Sequence, residues 1–327
     1  MKALVTGGHG FIGSFLVEEL LKRNFNVTCL VRASSDTQWI RKFPIQFAQG
    51  DLKDPSSLSS LPSDFNYVFH VAGIIKAVEP SEFFKVNHIG TLNLLRHIQN
   101  NNQPLKRFVL VSSVAAQGPC CTLSAQSETQ ESNPVSVYGK SKLAGEKVLH
   151  QYGDTIPYTI VRPAVVYGPR DNGVYLFFKA LKKTGRIGQV FPKERYYSLV
   201  YVEDLVRGII EAALSEKTTH KTYTLANSAW YSFEKIIQTI GSALSIKPKI
   251  IYFPFFFARL AALAGDFYGK LTRKPVFLNS LKLPEFAARY WIFKADKAFQ
   301  DFQWKSHISL EEGIQKTARW YEENAWL

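Results

Sequence analysis

The chain has 327 residues, enough for one elaborated α/β domain or for a large and a small domain sharing a cleft. Its net charge of +13 comes from 40 Lys and Arg scattered along the sequence, with no long basic block and no recognisable nucleic-acid module, so nucleic acid is not an expected partner. Hydrophobic residues make up 46%, yet no uncharged apolar run reaches the roughly 18–20 residues of a membrane-spanning helix.

A strand pattern begins within two residues of Met1, leaving no room for a secretory leader, and a cytoplasmic protein is expected. Residues 2–6 read as a short apolar strand, 11–23 carry helical periodicity, and 27–31 are again β-branched and apolar, which makes a βαβ unit. Between the first strand and the helix stands Thr6-Gly7-Gly8-His9-Gly10-Phe11-Ile12-Gly13. Its glycines permit a tight turn and close backbone approach, and the following helix aims its first amides at a phosphate, so this segment is expected to hold the pyrophosphate of a dinucleotide. Nucleotide choice is read at the end of the second strand. There Arg32 and the serines after it complement an extra phosphate, and no acid appears before Asp36, which favours NADP over NAD.

Further strand patterns lie at 45–48, 67–71, 107–112 and 158–162, with helical patterns at 81–101 and 137–151 between them. That alternation predicts a Rossmann-type doubly wound parallel sheet covered on both faces, over about residues 1–168. Beyond Gly168 the alternation weakens into helical patterns at 175–183, 203–215, 232–244 and 310–323 with short strands between. Residues 169–327 are therefore expected to form mainly a smaller, mixed α/β substrate lobe, with about 198–225 returning to the Rossmann core. Cys29, Cys120 and Cys121 have no metal-ligand or disulfide spacing; reduced thiols and no metal are expected.

Tyr138 and Lys142 are one helical turn apart and share a face of the helix read over 137–151. A lysine held beside a tyrosine stabilises the phenolate and is expected to lower its pKa toward working pH, so that the phenol can exchange a proton with an alcohol or ketone.

With these pieces in order the chain resembles the extended short-chain dehydrogenase/reductases, nearly end to end. The matching segments are TGGHGFIG, Gly50-Asp51-Leu52, His70-Val71-Ala72-Gly73, Asn87, Val111-Ser112-Ser113, Tyr138 with Lys142, and Arg162-Pro163-Ala164-Val165-Val166-Tyr167-Gly168-Pro169. The resemblance implies that Tyr138 is the general acid/base, Lys142 its electrostatic partner and ribose ligand, and Ser113 the hydroxyl that polarises the substrate oxygen. Ser113 is chosen over Ser112 because it stands five residues before Gly118. The implied cofactor contacts are Gly7, Gly10, Phe11, Ile12, Gly13, Arg32, Asp51, Leu52, Val71, Ala72, Gly73, Asn87, Tyr138, Lys142, Pro163 and Val165. His9 and His70 are read as ordinary packed or solvated histidines. A homodimer through the helices at 81–101 and 137–151 is also implied.

The sequence departs from the nucleotide-sugar members of that family at three places. Val114 and Ala115 follow the catalytic position where sugar dehydratases carry Asp-Glu; Val165 stands where epimerases usually have an Asn that contacts the sugar diphosphate; and Tyr197 stands where an arginine grips it. Arg195 and Arg170 could substitute for that arginine. The RPAVVYGP and SLVYVEDL segments look more like 3β-hydroxysteroid dehydrogenases and dihydroflavonol reductases. The expected activity is thus interconversion of a secondary alcohol and a ketone on a hydrophobic or aromatic ring substrate. A nucleotide-sugar 4-epimerase with tightly held NAD is the first alternative, and a dinucleotide-binding regulatory protein without turnover the second. The run at 252–263, from Tyr252 to Leu263, could line an apolar pocket or rest on a membrane surface, but an aromatic helix of such spacing is expected to be core.

Overall fold

The computed structural model describes residues 1–101, 105–276 and 278–327. Its first part contains β1 (Lys2–Thr6), α1 (Phe11–Lys22), β2 (Asn26–Val31), β3 (Gln46–Gln49), β4 (Tyr67–His70), α2 (Pro80–Phe84), α3 (Gly90–Asn101), β5 (Arg107–Val111), α4 (Val114–Gln117), α5 (Val137–Gln151) and β6 (Tyr158–Pro163). The remainder contains β7 (Val165–Tyr167), α6 (Tyr175–Thr184), β8 (Arg186–Val190), β9 (Tyr196–Tyr201), α7 (Val202–Leu214), β10 (Lys221–Leu225), β11 (Trp230–Ser232), α8 (Phe233–Ala243), β12 (Lys249–Phe253), α9 (Phe255–Thr272), α10 (Leu283–Ala287), β13 (Tyr290–Trp291), α11 (Asp296–Phe302) and α12 (Leu310–Glu323).

Seven strands form one wholly parallel sheet in the order β10-β6-β5-β4-β1-β2-β3. Strands buried on both faces must be apolar at successive positions, as Ala3-Leu4-Val5 and Phe108-Val109-Leu110 are. Side-chain alternation then divides the core. Val5 packs on one face with Leu16 and Leu20 of α1 and Ile209 and Ile210 of α7, while Leu4 packs on the other with Leu94 and Ile98 of α3 and Leu149 of α5. The chain winds outward from β1 in both directions, so β1 and β4 flank a switch point where the carboxyl ends of the strands open a crevice. The expected Rossmann-type sheet is present.

A smaller sheet joins β7, β9, β11 and β13, and β8 pairs with β12 in parallel. Around them lies a separate core that includes Phe178, Tyr201, Ile237, Ile240 and Tyr321.

Two sequence expectations differ from the structure. The helix read over 81–101 is broken by a π-helical turn, Lys85–Ile89, between α2 and α3. The extra residue in that turn carries Asn87 across to Ile74 and Ser141, and such insertions recur at functional sites. The aromatic run at 252–263 is not core. It divides at Pro254 into the end of β12 and the start of α9, and Phe255, Phe256, Phe257, Leu260 and Leu263 are exposed. Small residues of α9, not the aromatics, face the protein: Ala258, Ala262 and Gly269 are its buried positions.

Candidate active site

The parallel register brings the carboxyl ends of four strands level, Thr6 beside His70, His70 beside Leu110 and Val111 beside Val161, so the segments that follow them share one edge. Most of the sequence-derived site residues stand in those segments.

After β1, Gly7 turns with φ of +71° and Gly10 N–H donates to Gly7 O at 3.0 Å. A Cβ on Gly13 would stand 2.1 Å from Gly7 O, and one on Gly7 would stand 2.7 Å from Ala72 N, so the loop, α1 and the β4 end are in backbone contact that only glycine allows. Gly10 caps α1 with no side-chain hydrogen bond, which leaves the first amides, those of Phe11 and Ile12 among them, uncovered by any capping side chain. This cradle fits a phosphate of a dinucleotide.

Arg32 is exposed where β2 ends, and its backbone N–H donates to Ser35 Oγ at 3.1 Å. Burial, then the nearby Arg32 guanidinium, hold His9 below the usual imidazole range, while Asp36 acts the other way. Both charges therefore face the glycine loop. After β3, Asp51 N–H donates to Ser57 Oγ, and Leu52 O accepts from Asn93 Nδ2 at 2.8 Å, which fixes the Gly50-Asp51-Leu52 turn.

After β4, Ala72 N–H donates to Thr6 Oγ1, and Thr6 Oγ1 pairs with His70 Nδ1 at 2.7 Å while His70 Nε2 pairs with Thr91 Oγ1 at 3.0 Å. Burial, then the nearby Lys142 charge, push the His70 pKa down to about 3, so this imidazole is a neutral structural strut. Asn87 clamps the same loop: its Oδ1 accepts from Ile74 N–H at 2.9 Å, and its Nδ2 donates to Ile74 O and to Ser141 Oγ. A Cβ on Gly73 would lie 3.0 Å from Asn87 Oδ1 and 3.4 Å from Lys142 Nζ.

Ser113 caps α4, its Oγ accepting from Ala115 N–H at 3.1 Å, and its side chain lies near enough to the Tyr138 phenol to favour the phenolate. Lys142, buried on the next turn of α5, donates from Nζ to Val111 O at 2.8 Å. Ser113 and Tyr138 thus face one another, and Lys142 lies one turn further along the helix that carries Tyr138.

The electrostatics differ from the sequence expectation. Burial pushes the Tyr138 pKa up to about 12; the nearby Ser113 side chain works against this, and the carboxylate of Glu285 adds to it. Lys142 is itself pushed down to about 8 by burial, with Glu146 pulling the other way. The lysine's proton is engaged with a backbone carbonyl and the tyrosine sits beside a carboxylate, so the phenol keeps its proton at neutral pH.

Sequence reasoning missed three charged residues of the site, Glu146, Lys282 and Glu285. Glu146, one further turn along α5, accepts from Ser112 Oγ at 2.5 Å and from Arg162 Nε and Nη2 at 3.0 and 2.6 Å, forming a buried ion pair beneath Lys142. The spacing Tyr138, Lys142, Glu146 is a signal that could have found it. Glu285 and Lys282, ion-paired at 3.1 Å, close the cleft over Tyr138 together with Ile75, Phe83 and Leu281. Glu285 also accepts from Ser136 Oγ, the cap of α5. Pro163 ends β6 buried, and Val165 opens β7 partly exposed. Among the described residues no cluster of His, Cys, Asp or Glu could hold a metal ion.

Neither arginine able to replace a diphosphate-gripping residue is free to do so. Arg195 is buried, with Nη1 donating to Phe286 O at 2.5 Å and to Ala288 O at 2.8 Å. Arg170 pairs with Glu18 at 2.6 Å, donates to Ser14 Oγ, and stacks on Phe15 and Trp39.

The sequence model of the NAD dependent epimerase/dehydratase family matches residues 3–226. The chain belongs to that family. Its relatives include epimerases and reductases. It is 26% identical, over 97% of its own length and 94% of the other's, to N-acetyl-alpha-D-glucosaminyl-diphospho-ditrans,octacis-undecaprenol 4-epimerase of Escherichia coli O157:H7. It is 25% identical, over 99% and 95%, to the ceramide reductase of Caulobacter vibrioides. Among solved structures, UDP-glucose 4-epimerase of Thermotoga maritima superposes with a TM-score of 0.82 at 24% identity, covering 99% of this chain and all of that one, which establishes the shared fold. Members of this NAD-dependent family include epimerases and reductases.

Proposed function

We infer that the protein is a cytoplasmic NAD(P)-dependent oxidoreductase that interconverts a secondary alcohol and a ketone on a hydrophobic or ring-containing substrate. The observation that carries this reading is the engagement of Arg195 and Arg170 inside the protein, which together with Val165 and Tyr197 leaves the positions expected to grip a sugar diphosphate without a free cation. Residues 1–168 would hold the dinucleotide and most of 169–327 the substrate.

When bound, the dinucleotide supplies or accepts a hydride. Gly7, Gly10 and Gly13 give its phosphates close backbone approach, with Phe11 and Ile12 offering amides. Asp51 and Leu52 would border the adenine, and Val71, Ala72, Gly73, Asn87, Pro163 and Val165 the remainder of the path to Tyr138. Ser113 Oγ and Tyr138 Oη direct their hydroxyls at the substrate oxygen, so charge gathering there meets donors already in place. For reduction, Tyr138 gives its proton to that oxygen; for oxidation it takes one. Its raised pKa suits the donor role. Lys142 supplies a positive charge behind the phenol and an ammonium for the ribose.

The Caulobacter relative is a reductase of a lipid and the Escherichia relative acts on a polyprenyl-linked sugar, and both support a substrate with a large apolar part. Their split also keeps the 4-epimerase reading as the rival. The test is whether purified protein needs added dinucleotide: an oxidoreductase turns over only with cofactor supplied, whereas an epimerase retains its NAD and works without addition. Absence of turnover on any ketone or sugar nucleotide would favour a regulatory role.

Arg32 supports NADP over NAD. Arg32→Asp is expected to weaken NADP binding by about 10-fold or more while leaving NAD affinity nearly unchanged, measured as dissociation constants; equal affinities in the parent protein would refute the phosphate role.

A further inference from the structure

α9 is turned inside out relative to an ordinary surface helix. Its buried face is made of small residues, Ala258, Ala262 and Gly269, and Gly265 lies so close to the protein that a Cβ there would stand 2.1 Å from Leu278 O. The opposite face carries Phe256, Leu260, Leu263, Phe267 and Leu271, spaced so that they form one stripe along the helix, with exposures of 61, 47, 53, 73 and 75%. A surface helix normally buries such a stripe, and an apolar patch this continuous marks a docking surface.

Charge identifies the occupant. Between residues 255 and 274 the exposed Arg259, Lys270, Arg273 and Lys274 face a single acid, Asp266, whose Oδ1 already accepts from Ser280 N–H at 3.1 Å. A second copy of the chain would bring like charges together over the stripe, whereas an anionic lipid surface takes both the apolar face and the cations. No described helix is long and apolar enough to span a bilayer, so α9 would lie in the interface plane.

We propose that α9 docks the protein on an anionic membrane surface. The segment that follows α9 carries Asn279, Leu281 and Glu285 into the cleft at Tyr138, and α10 packs against α9. The cleft at Tyr138 thus borders the segment that α9 would hold at the lipid, and an apolar ketone leaving the bilayer would reach it along that segment; this last step rests on the oxidoreductase reading above.

The test is co-sedimentation of the full chain with phosphatidylcholine vesicles, with and without phosphatidylglycerol. The parent protein is expected to pellet with the anionic vesicles. Phe256→Ser, Leu263→Ser and Phe267→Ser combined are expected to weaken that partition by about 100-fold or more, and Lys270→Ser with Lys274→Ser by about 10-fold. Tyr138→Phe should pellet like the parent, so loss of turnover and loss of docking are read separately. Three results would overturn the proposal: a parent protein that stays in the supernatant with anionic vesicles, a stripe variant that pellets as the parent does, or light scattering in which the stripe substitutions split a parent dimer into monomers, which would assign the stripe to a second copy.

Discussion

On the proposed reading Tyr138 and Lys142 set the pH behaviour of the site, and the sign follows from which form each role requires. Reduction needs a protonated phenol, and with its pKa near 12 Tyr138 supplies one throughout the neutral range. It also needs the Lys142 ammonium, whose pKa lies near 8 because burial disfavours its charge and Glu146 only partly restores it. The rate of ketone reduction is therefore expected to fall as pH rises through about 8. Glu146→Gln removes the carboxylate that favours the ammonium, so the falling limb should move to lower pH. The same change leaves Arg162 buried opposite a neutral group and is expected to cost about 3 kcal/mol of stability, measured by chemical unfolding. A limb that stays in place would separate Glu146 from the lysine. The tyrosine and lysine were read from sequence because their helical spacing is local, and Glu146 continues the same spacing and was legible by it. Glu285 reaches Tyr138 through a chain excursion that no local pattern records, and burial of the phenol, to which that carboxylate adds, reversed the expected direction of the shift.

At the level of elements, the periodic segments were the readable ones. α5 and α12 occupy Val137–Gln151 and Leu310–Glu323 as their apolar spacing predicts, each opened by a serine whose side chain accepts an amide of the first turn. The π-turn at Lys85–Ile89 has no such signature, because it is set by the reach of Asn87 to Ile74 and by α5 packing so closely that a Cβ on Gly145 would stand 2.5 Å from Asn87 O. β8 and β12 are short and, among the described residues, pair only with each other, and the β12 to α9 transition hides inside one apolar run. The glycine loop was legible as a pattern, and its tight backbone contacts follow from it. Gly13→Ala is expected to displace it and weaken dinucleotide binding by about 10-fold or more, because the added carbon meets a backbone carbonyl that has nowhere to move. Gly185 is the control. It ends α6 at φ of +65° with open space around it, so Gly185→Ala should cost about 1 kcal/mol of stability and leave dinucleotide affinity unchanged. Equal binding by the Gly13 variant and the parent would remove the cradle from the account.

For the whole molecule, the sheet places every strand-end segment of the proposed dinucleotide path on one edge, while a second core is built from the later half of the chain and α9 presents its apolar stripe outward. The order of alternating strands and helices made the sheet legible; the exposure of α9 was not, because an apolar run reads the same whether it is buried or presented. We propose that α3 and α5 pair two copies as a four-helix bundle, which would leave the α9 stripes free. Light scattering at micromolar concentration should then report a dimer that the stripe substitutions leave intact; a monomer would remove that assembly.

The account turns on proton transfer from Tyr138 to a carbonyl oxygen, and its most direct test is the loss of NADPH absorbance with a panel of hydrophobic cyclic ketones, parent protein against Tyr138→Phe. The parent is expected to consume one NADPH for each alcohol formed, and the variant to lose about 100-fold or more in kcat with its dinucleotide affinity unchanged. Parent protein that consumes no NADPH and instead inverts a sugar nucleotide with a dinucleotide it already holds would contradict it.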